Sequence, residues 1–210
     1  MLLVEGDLTP STVKTMCVLP EDPLILEIGA HHGEDSKAFL DAFPNCRLHA
    51  FEADPRCLLE LRRAVGRDRR CTIHACAVAH TSGFLPWYQS GGTPDGKRLD
   101  WDYSSSLLRP SGHLSAYPWC TFDRTIDVQV VSLDKMMFGD VDFIWMDVQG
   151  AEHLVLHGAV KTLERTRYLY TEYYDRPMYE GQKNLEEIRQ LLPNFDVVAL
   201  FSRAECRNVL

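Results

Sequence analysis

The sequence predicts an α/β domain, a mostly parallel sheet with helices on both faces that ends in an antiparallel hairpin. Three observations carry this. Short apolar runs alternate with stretches of helical periodicity from Leu24 onward. Several of those runs are apolar at consecutive positions, as strands buried on both faces are. Only about five residues separate the last two apolar segments, too few for a parallel crossover.

Leu24-Ile25-Leu26-Glu27-Ile28 lies between Pro23 and Gly29 and reads as the first strand. After a glycine-rich turn, a helix is expected from Glu34 to Phe43, with Phe39 and Phe43 on one face and Pro44 ending it. Arg47 to Phe51 then completes a βαβ unit. Asp54 suits an N-cap, Pro55 a first helical position and Gly66 a stop, with Leu58, Leu61 and Val65 at helical spacing between them. Further strands are expected at Thr72–Val78, Ile126–Val131, Val141–Asp147 and Tyr168–Glu172, with a helix from Ala151 to Arg165. Asn184 and Glu187 form a capping-box pattern for a helix carrying Leu185, Ile188 and Leu192. Asp196–Phe201 and Arg207–Leu210 make the closing hairpin. Residues 89–118, rich in Ser, Gly, Pro and aromatics, are longer than a structureless loop usually is and read as a lid or substrate loop, with one or two short helices as the structural alternative.

The 210 residues show no linker or repeat, so one domain over 1–210 is expected, with 1–23 as an N-terminal extension. A chain of this length can bury about 70% of its unfolded surface, and a 45% hydrophobic composition supplies one core. No apolar run is long enough to cross a bilayer, and Glu5 and Asp7 follow Met1–Val4 too closely for a signal peptide. The seven cysteines (Cys17, Cys46, Cys57, Cys71, Cys76, Cys120, Cys206) are an odd number without a Cys-x-x-Cys pair, which reads as reduced, buried thiols in a cytoplasmic protein. A net charge of -8 argues against nucleic acid as a partner. The sequence carries no signal for an oligomeric state.

The first strand runs into Gly29-Ala30-His31-His32-Gly33, which lacks the Gly-x-Gly-x-x-Gly spacing of a nicotinamide-binding turn. Glu52 falls nineteen residues after Gly33, just past the second strand, where a carboxylate can accept two hydrogen bonds from a ribose diol. Turn and acid both sit at C-terminal strand ends, where open α/β sheets bind ligands, and together they point to an adenosine-containing cofactor. The turn has no P-loop lysine and is flanked by Glu34 and Asp35, so a sulfonium cofactor fits better than a phosphate-bearing one. Cys76 and Ala77 are placed to flank adenine, with plain packing as the competing account. Asp147 and Glu172 each end a core strand, so their carboxylates are expected to converge beside the cofactor.

Asp142 to Glu152, with His153, Leu154, Leu156 and Gly158 after it, resembles the signature of FkbM-type S-adenosylmethionine methyltransferases. The segments Glu27–Gly33, His49–Pro55, Cys76–Gly83, Ser104–Leu107, Val131–Leu133, Thr171–Glu172 and Asn208–Leu210 resemble that family's blocks in its order. The resemblance implies a Rossmann-like class I methyltransferase fold with a seven-stranded sheet, six strands parallel and one antiparallel. It also implies oxygen methylation, on a sugar, glycan or small-molecule metabolite. Two positions depart from the pattern: His31 stands where the family usually has asparagine, and Gln149 where it usually has glutamate. Gln149 cannot act as a base.

The cofactor wall expected from these segments is Glu27, Gly29, Ala30, His31, Gly33, Asp35, Ser36, Glu52, Ala53, Cys76, Ala77 and Asp147. Methyl transfer needs alignment, worth on the order of 7–11 kcal/mol, and removal of the hydroxyl proton, worth about 10²- to 10⁴-fold. Asp147 is the favoured base, His113 and His153 are its alternatives, and Glu172 is a further catalytic candidate. Asp147 and Glu172 could also hold Mg²⁺. In the bland account Asp147 caps a helix or orients the cofactor. Trp101, Tyr103, Ser105, Ser106 and His113 are the candidates for the acceptor. Two other classes stay open: a nucleotide-dependent oxidoreductase, disfavoured by the glycine spacing, and a non-catalytic S-adenosylmethionine-binding module, made conceivable by Gln149.

Overall fold

A computed structural model describes residues 2–94, 101–202 and 207–210. β1 (Leu2–Glu5) and α1 (Pro10–Met16) precede the βαβ unit of β2 (Leu24–Ile28), α2 (Glu34–Ala42) and β3 (Arg47–Phe51). Next come α3 (Leu58–Val65), β4 (Cys71–His74), β5 (Ala77–Val78), β6 (Gly83–Gly92), α4 (Gly112–Ala116) and β7 (Cys120–Val131). The remainder is α5 (Leu133–Met136), β8 (Val141–Met146), α6 (Glu152–His157), α7 (Val160–Leu163), β9 (Thr166–Tyr173), α8 (Leu185–Gln190), β10 (Ala199–Ser202) and β11 (Arg207–Val209).

Eight strands form the main sheet in the order β1-β10-β11-β9-β8-β2-β3-β4. Pairing is parallel from β9 through β4, and β11 runs antiparallel to both β9 and β10. Seven of these strands are the expected set; β1 is the eighth, paired parallel to the β10 edge with Leu2 opposite Ala199. Chain order reverses at β2, which leads to β3 on one side and lies against β8 on the other. Such a switch point opens a crevice at the carboxyl ends of the strands.

The unbroken apolar runs are explained by what lies on each face. Ile25, Leu48, Phe143 and Trp145 pack with Val13 of α1, Phe39 and Leu40 of α2 and Leu61 and Val65 of α3. Leu26, Ile28, Ile144 and Met146 pack on the other side with Val155, Leu156, Leu163 and Ile188, from α6, α7 and α8. Successive strand residues point to opposite faces, so each face has its own core and neither faces water.

The structure corrects several expected boundaries. Thr72–Val78 is not one strand: the Cys76 N–H bonds back to the His74 carbonyl at 3.0 Å, and this kink sends Ala77–Val78 into a second sheet of order β5-β7-β6. Ile126–Val131 is the end of the long β7 in that second sheet, not a strand of the main one. Its partner β6 begins before and runs through Gln89–Gly92, so the start of the expected 89–118 loop is strand, and α4 occupies Gly112–Ala116. Residues 95–100 of that loop, like Cys206, lie outside the described residues. Asp54 does not cap α3, whose N-cap is Cys57, because the chain first makes a turn over Pro55–Cys57. The helix expected at Ala151–Arg165 is two short ones broken at Gly158, where a Cβ would lie 2.1 Å from the Ala79 carbonyl oxygen. The capping box of Asn184 and Glu187 forms as its spacing predicts. No helix among the described residues is long and apolar enough to cross a membrane.

Candidate active site

The glycine turn after β2 is shaped by one close approach. Gly29 has φ +94°, and a Cβ there would fall 1.8 Å from the Asp147 carbonyl oxygen at the end of β8. The N–H groups of Gly29 and Ala30 both donate to the Phe51 carbonyl, at 3.0 and 2.9 Å, tying the turn to β3. His31 follows with φ +48°, in the left-handed region that asparagine, aspartate and histidine tolerate better than most residues. That explains how histidine can stand where relatives are expected to carry asparagine.

A cavity of about 450 Å³ opens over this turn, bounded by the ends of β2, β3 and β8, within the range of small-molecule sites. Every residue of the expected cofactor wall lines it except Gly33 and Ser36. Gly33 is instead the N-cap of α2, and the buried Ser36 donates its hydroxyl to the Glu27 carboxylate. Burial holds the Glu27 carboxyl well above the usual carboxylate range.

Glu52 bridges two segments: one oxygen accepts the His31 N–H at 2.7 Å and the other the Asp54 N–H at 2.6 Å. Burial pushes its pKa up to about 7 against those two donors. Each oxygen keeps a lone pair, so the side chain can still accept hydroxyls from a diol. Asp35, also on the wall, is pushed up to about 6 by burial and then by the charge of Asp147. Bare backbone at Gly29 and clustered carboxylates fit a ligand that carries a ribose and a fixed positive charge.

Asp147 projects into the cavity, where water reaches it. The protein walls around it still raise its pKa, opposed by the Gln149 amide that donates to Oδ1 at 2.7 Å. Gln149 has φ +53° and is hemmed in on every side: its amide nitrogen also lies 3.3 Å from Glu172, and its amide oxygen lies 3.1 Å from the Tyr174 hydroxyl and 3.4 Å from the Tyr179 hydroxyl. Tyr174 donates to Glu172 at 2.7 Å. Asp147 and Glu172 therefore converge as expected, but through an amide that fills the space between them. Glu172 is buried behind Gln149 and does not line the cavity.

The acceptor candidates divide. Tyr103 and Ser105 line the cavity. Trp101 does not; its indole donates to Ser104 at 2.9 Å and its ring packs against Trp119 and Tyr103. Ser106 is fully buried and donates to the Gln149 carbonyl at 2.8 Å, so it supports the wall from behind. His113 is a correction. It is 4% exposed among Tyr117, Phe122 and Tyr179, its Nδ1 has no partner, and burial lowers its pKa to about 4. His153 is another: it sits on α6, off the cavity wall, with an unpartnered Nδ1.

Sequence reasoning missed the second sheet's part in the site. Trp87 and Gln89 on β6 donate to Asp54 at 3.2 and 2.8 Å, and Arg56 clasps the same carboxylate at 2.7–3.2 Å. Asp54, buried past β3, thus anchors the small sheet to the large one. Asp102 was missed as well, bonded to His31 at 2.9 Å and His32 at 3.0 Å. Contacts between such distant segments leave no spacing in the sequence.

The family described as the methyltransferase FkbM domain matches residues 27–200. The 2-O-methyltransferase NoeI of Sinorhizobium fredii (strain NBRC 101917 / NGR234) is 41% identical over 193 residues, 90% of this chain and 79% of that protein. The crystal structure of methyltransferase FkbM from Methylobacillus flagellatus KT aligns with a TM-score of 0.61 at 17% identity. It covers 97% of this chain, which spans about half (48%) of that protein. Aeropyrum pernix fibrillarin, crystallised with natively bound S-adenosyl-L-methionine, aligns with a TM-score of 0.50 at 13% identity over 95% of this chain and 71% of that one.

Proposed function

The chain belongs to the FkbM methyltransferase family and is an S-adenosylmethionine-dependent methyltransferase, and from that premise we propose that it methylates a hydroxyl oxygen of a sugar, glycan or other polyhydroxylated small molecule. The observation that carries this reading is the acid-ringed cavity at the switch point, with bare Gly29 backbone at one end and Glu52 at the other. The 2-O-methyltransferase relative supports oxygen as the acceptor atom. The net charge of -8 favours a neutral acceptor over a nucleic acid. We take residues 1–210 as one domain.

When bound, the cofactor supplies an electrophilic sulfonium methyl. Glu52 would hold the ribose diol, and Ala53, Cys76 and Ala77 would flank the base. Gly29, Ala30 and His31 would meet the methionine part through backbone, and Glu27 and Asp35 would face its positive charge. Tyr103 offers a face for a sugar ring to stack on and Ser105 a hydroxyl, so the acceptor is oriented before reaction. Asp147 takes the acceptor's proton as the oxygen attacks, its raised proton affinity suiting it to that role. Glu172 and Tyr174 hold Gln149, which in turn fixes the Asp147 carboxylate. The mechanism needs no Mg²⁺ at Asp147 and Glu172, because the Gln149 amide already bridges them.

Purified protein with methyl-labelled S-adenosylmethionine and a panel of sugars and polyhydroxylated metabolites tests the reading: label must appear as a methyl ether. A non-catalytic module, favoured only by Gln149, would bind S-adenosylhomocysteine but transfer no label to any acceptor. An oxidoreductase would instead give a saturable calorimetric signal with NADH.

A further inference from the structure

We propose that the protein holds a single zinc-class divalent ion at the mouth of the cavity, on His31, His32, Cys57 and Asp102. Their ligand atoms, from three separated segments, all lie within 4.8 Å of one another, the one such group of His, Cys, Asp and Glu among the described residues. The His31 and His32 Nε2 atoms approach the two oxygens of Asp102 at 2.9 and 3.0 Å, and the Cys57 sulfur lies 3.7 Å from Oδ2. Tetrahedral zinc bonds of about 2.0–2.3 Å set ligand atoms roughly 3.3–3.8 Å apart, so small movements bring these four around an ion.

The donor set decides which ion. Two imidazoles, one thiolate and one carboxylate suit a borderline metal and are poor ligands for Mg²⁺ or Ca²⁺, which take oxygen. Coordination replaces the two His–Asp102 hydrogen bonds with metal–ligand bonds: each imidazole ligates through a deprotonated Nε2 as the neutral Nδ1–H tautomer, any excess proton passing to solvent, and the Cys57 thiol gives its proton to solvent as the sulfur–metal bond forms. No electron moves. The ring of Tyr103 lies 4.1 Å from that of His31, tilted by 41°, and 5.9 Å from that of His32, edge-on, so it packs against both imidazoles beside Asp102.

The ion's consequence is mechanical. His31 and His32 belong to the glycine turn, Cys57 to the turn before α3, and Asp102 to the segment carrying Tyr103 and Ser105. Binding ties all three together beside the methyl donor's cavity and fixes the acceptor-facing segment against the cofactor-facing turn. The ion is a clamp and takes no part in the transfer.

Titrating metal-stripped protein with Co²⁺ tests this without reference to activity. One equivalent should bind, with visible bands of a tetrahedral site and a near-ultraviolet thiolate-to-cobalt band, and stoichiometric Zn²⁺ should bleach both. Cys57→Ser should retain the visible bands, shifted, and lose the thiolate band. His32→Gln, at a partly exposed position, should weaken Co²⁺ binding at least about tenfold while leaving the circular dichroism unchanged. Failure of the wild-type protein to bind either ion at micromolar concentration overturns the proposal. So does a thiolate band that survives in Cys57→Ser, which would place the ion on another cysteine.

Discussion

Asp147 and Gln149 form the pair on which the chemistry turns. Gln149 presents its two N–H groups to two carboxylates, with its oxygen turned towards the hydroxyls of Tyr174 and Tyr179, so a neutral amide suits the position. A glutamate there would set a third carboxylate against Asp147 and Glu172, and like charges at that range raise one another's pKa. Asp147 acts deprotonated, so the transfer rate should rise with pH through a midpoint above the ordinary aspartate value, as the pKa raised by the surrounding cavity walls requires. Gln149→Glu should move that midpoint upward by about one pH unit, read from single-turnover rates across pH. Asp147→Asn should lower kcat by about 10²- to 10⁴-fold at every pH and abolish the profile; a variant within threefold of wild type would remove Asp147 as the base. At this scale the sequence placed Glu27, Gly29 and Glu52 on the cavity wall, since their positions follow from strand ends alone. It misplaced His113 and His153, because a histidine's burial depends on which distant aromatic residues surround it.

The elements that sequence periodicity predicted best are those whose signal is local: β2 and β3 between their turns, and α8 behind its capping box. Asn184→Ala should cost about 1 kcal/mol of stability in denaturant unfolding and leave the transfer rate unchanged, since α8 supports the sheet's far face and not the cavity. The second sheet was unreadable for the opposite reason. β6 and β7 stabilise each other across a long register, and Trp87 and Gln89 of β6 donate to Asp54, none of which leaves a local mark. The turn after β2 allows a sharper test. Gly29 and Gly33 share nearly the same positive φ, but a Cβ at Gly33 meets the movable tip of Leu61 at 2.9 Å, whereas at Gly29 it meets the Asp147 backbone at 1.8 Å. Gly33→Ala should therefore fold with a loss of about 1–3 kcal/mol, the usual scale of such strain. Gly29→Ala should lose S-adenosylhomocysteine binding altogether, because only a shift of β8 against β2 makes room. Equal calorimetric binding by the two variants would contradict this.

Across the whole molecule, acids with raised proton affinity, Glu27, Glu52, Asp35 and Asp147 on the cavity wall and the buried Glu152 off it, give the protein a pH-dependent charge. Glu52 and Glu152 are pushed from 4.5 up to about 7, and Asp35 from 3.8 up to about 6, in each case chiefly by burial. Between the ordinary and raised values the folded state binds more protons than the unfolded one, so the stability these groups contribute is present below about pH 4.5 and is lost as pH rises through about 7. His49 and His113, lowered by burial to about 4, carry the opposite sign between pH 4 and 6.5, so the total slope mixes both. A difference measurement isolates the acid: the Tm of Glu52→Gln relative to wild type should climb by roughly 5 °C between pH 5 and 7.5 in ligand-free protein, and a pH-independent offset would refute the assignment. The same ionisation sets cofactor preference. S-adenosylmethionine carries a sulfonium charge that S-adenosylhomocysteine lacks, so each carboxylate that ionises nearby favours the first over the second. The ratio of their dissociation constants should therefore shift towards S-adenosylmethionine as pH rises from 5.5 to 7.5, and the shift should shrink in Glu52→Gln. This lets the enzyme release its spent product more readily than its substrate at neutral pH, and a ratio constant with pH would mean that the buried acids do not sense the sulfonium.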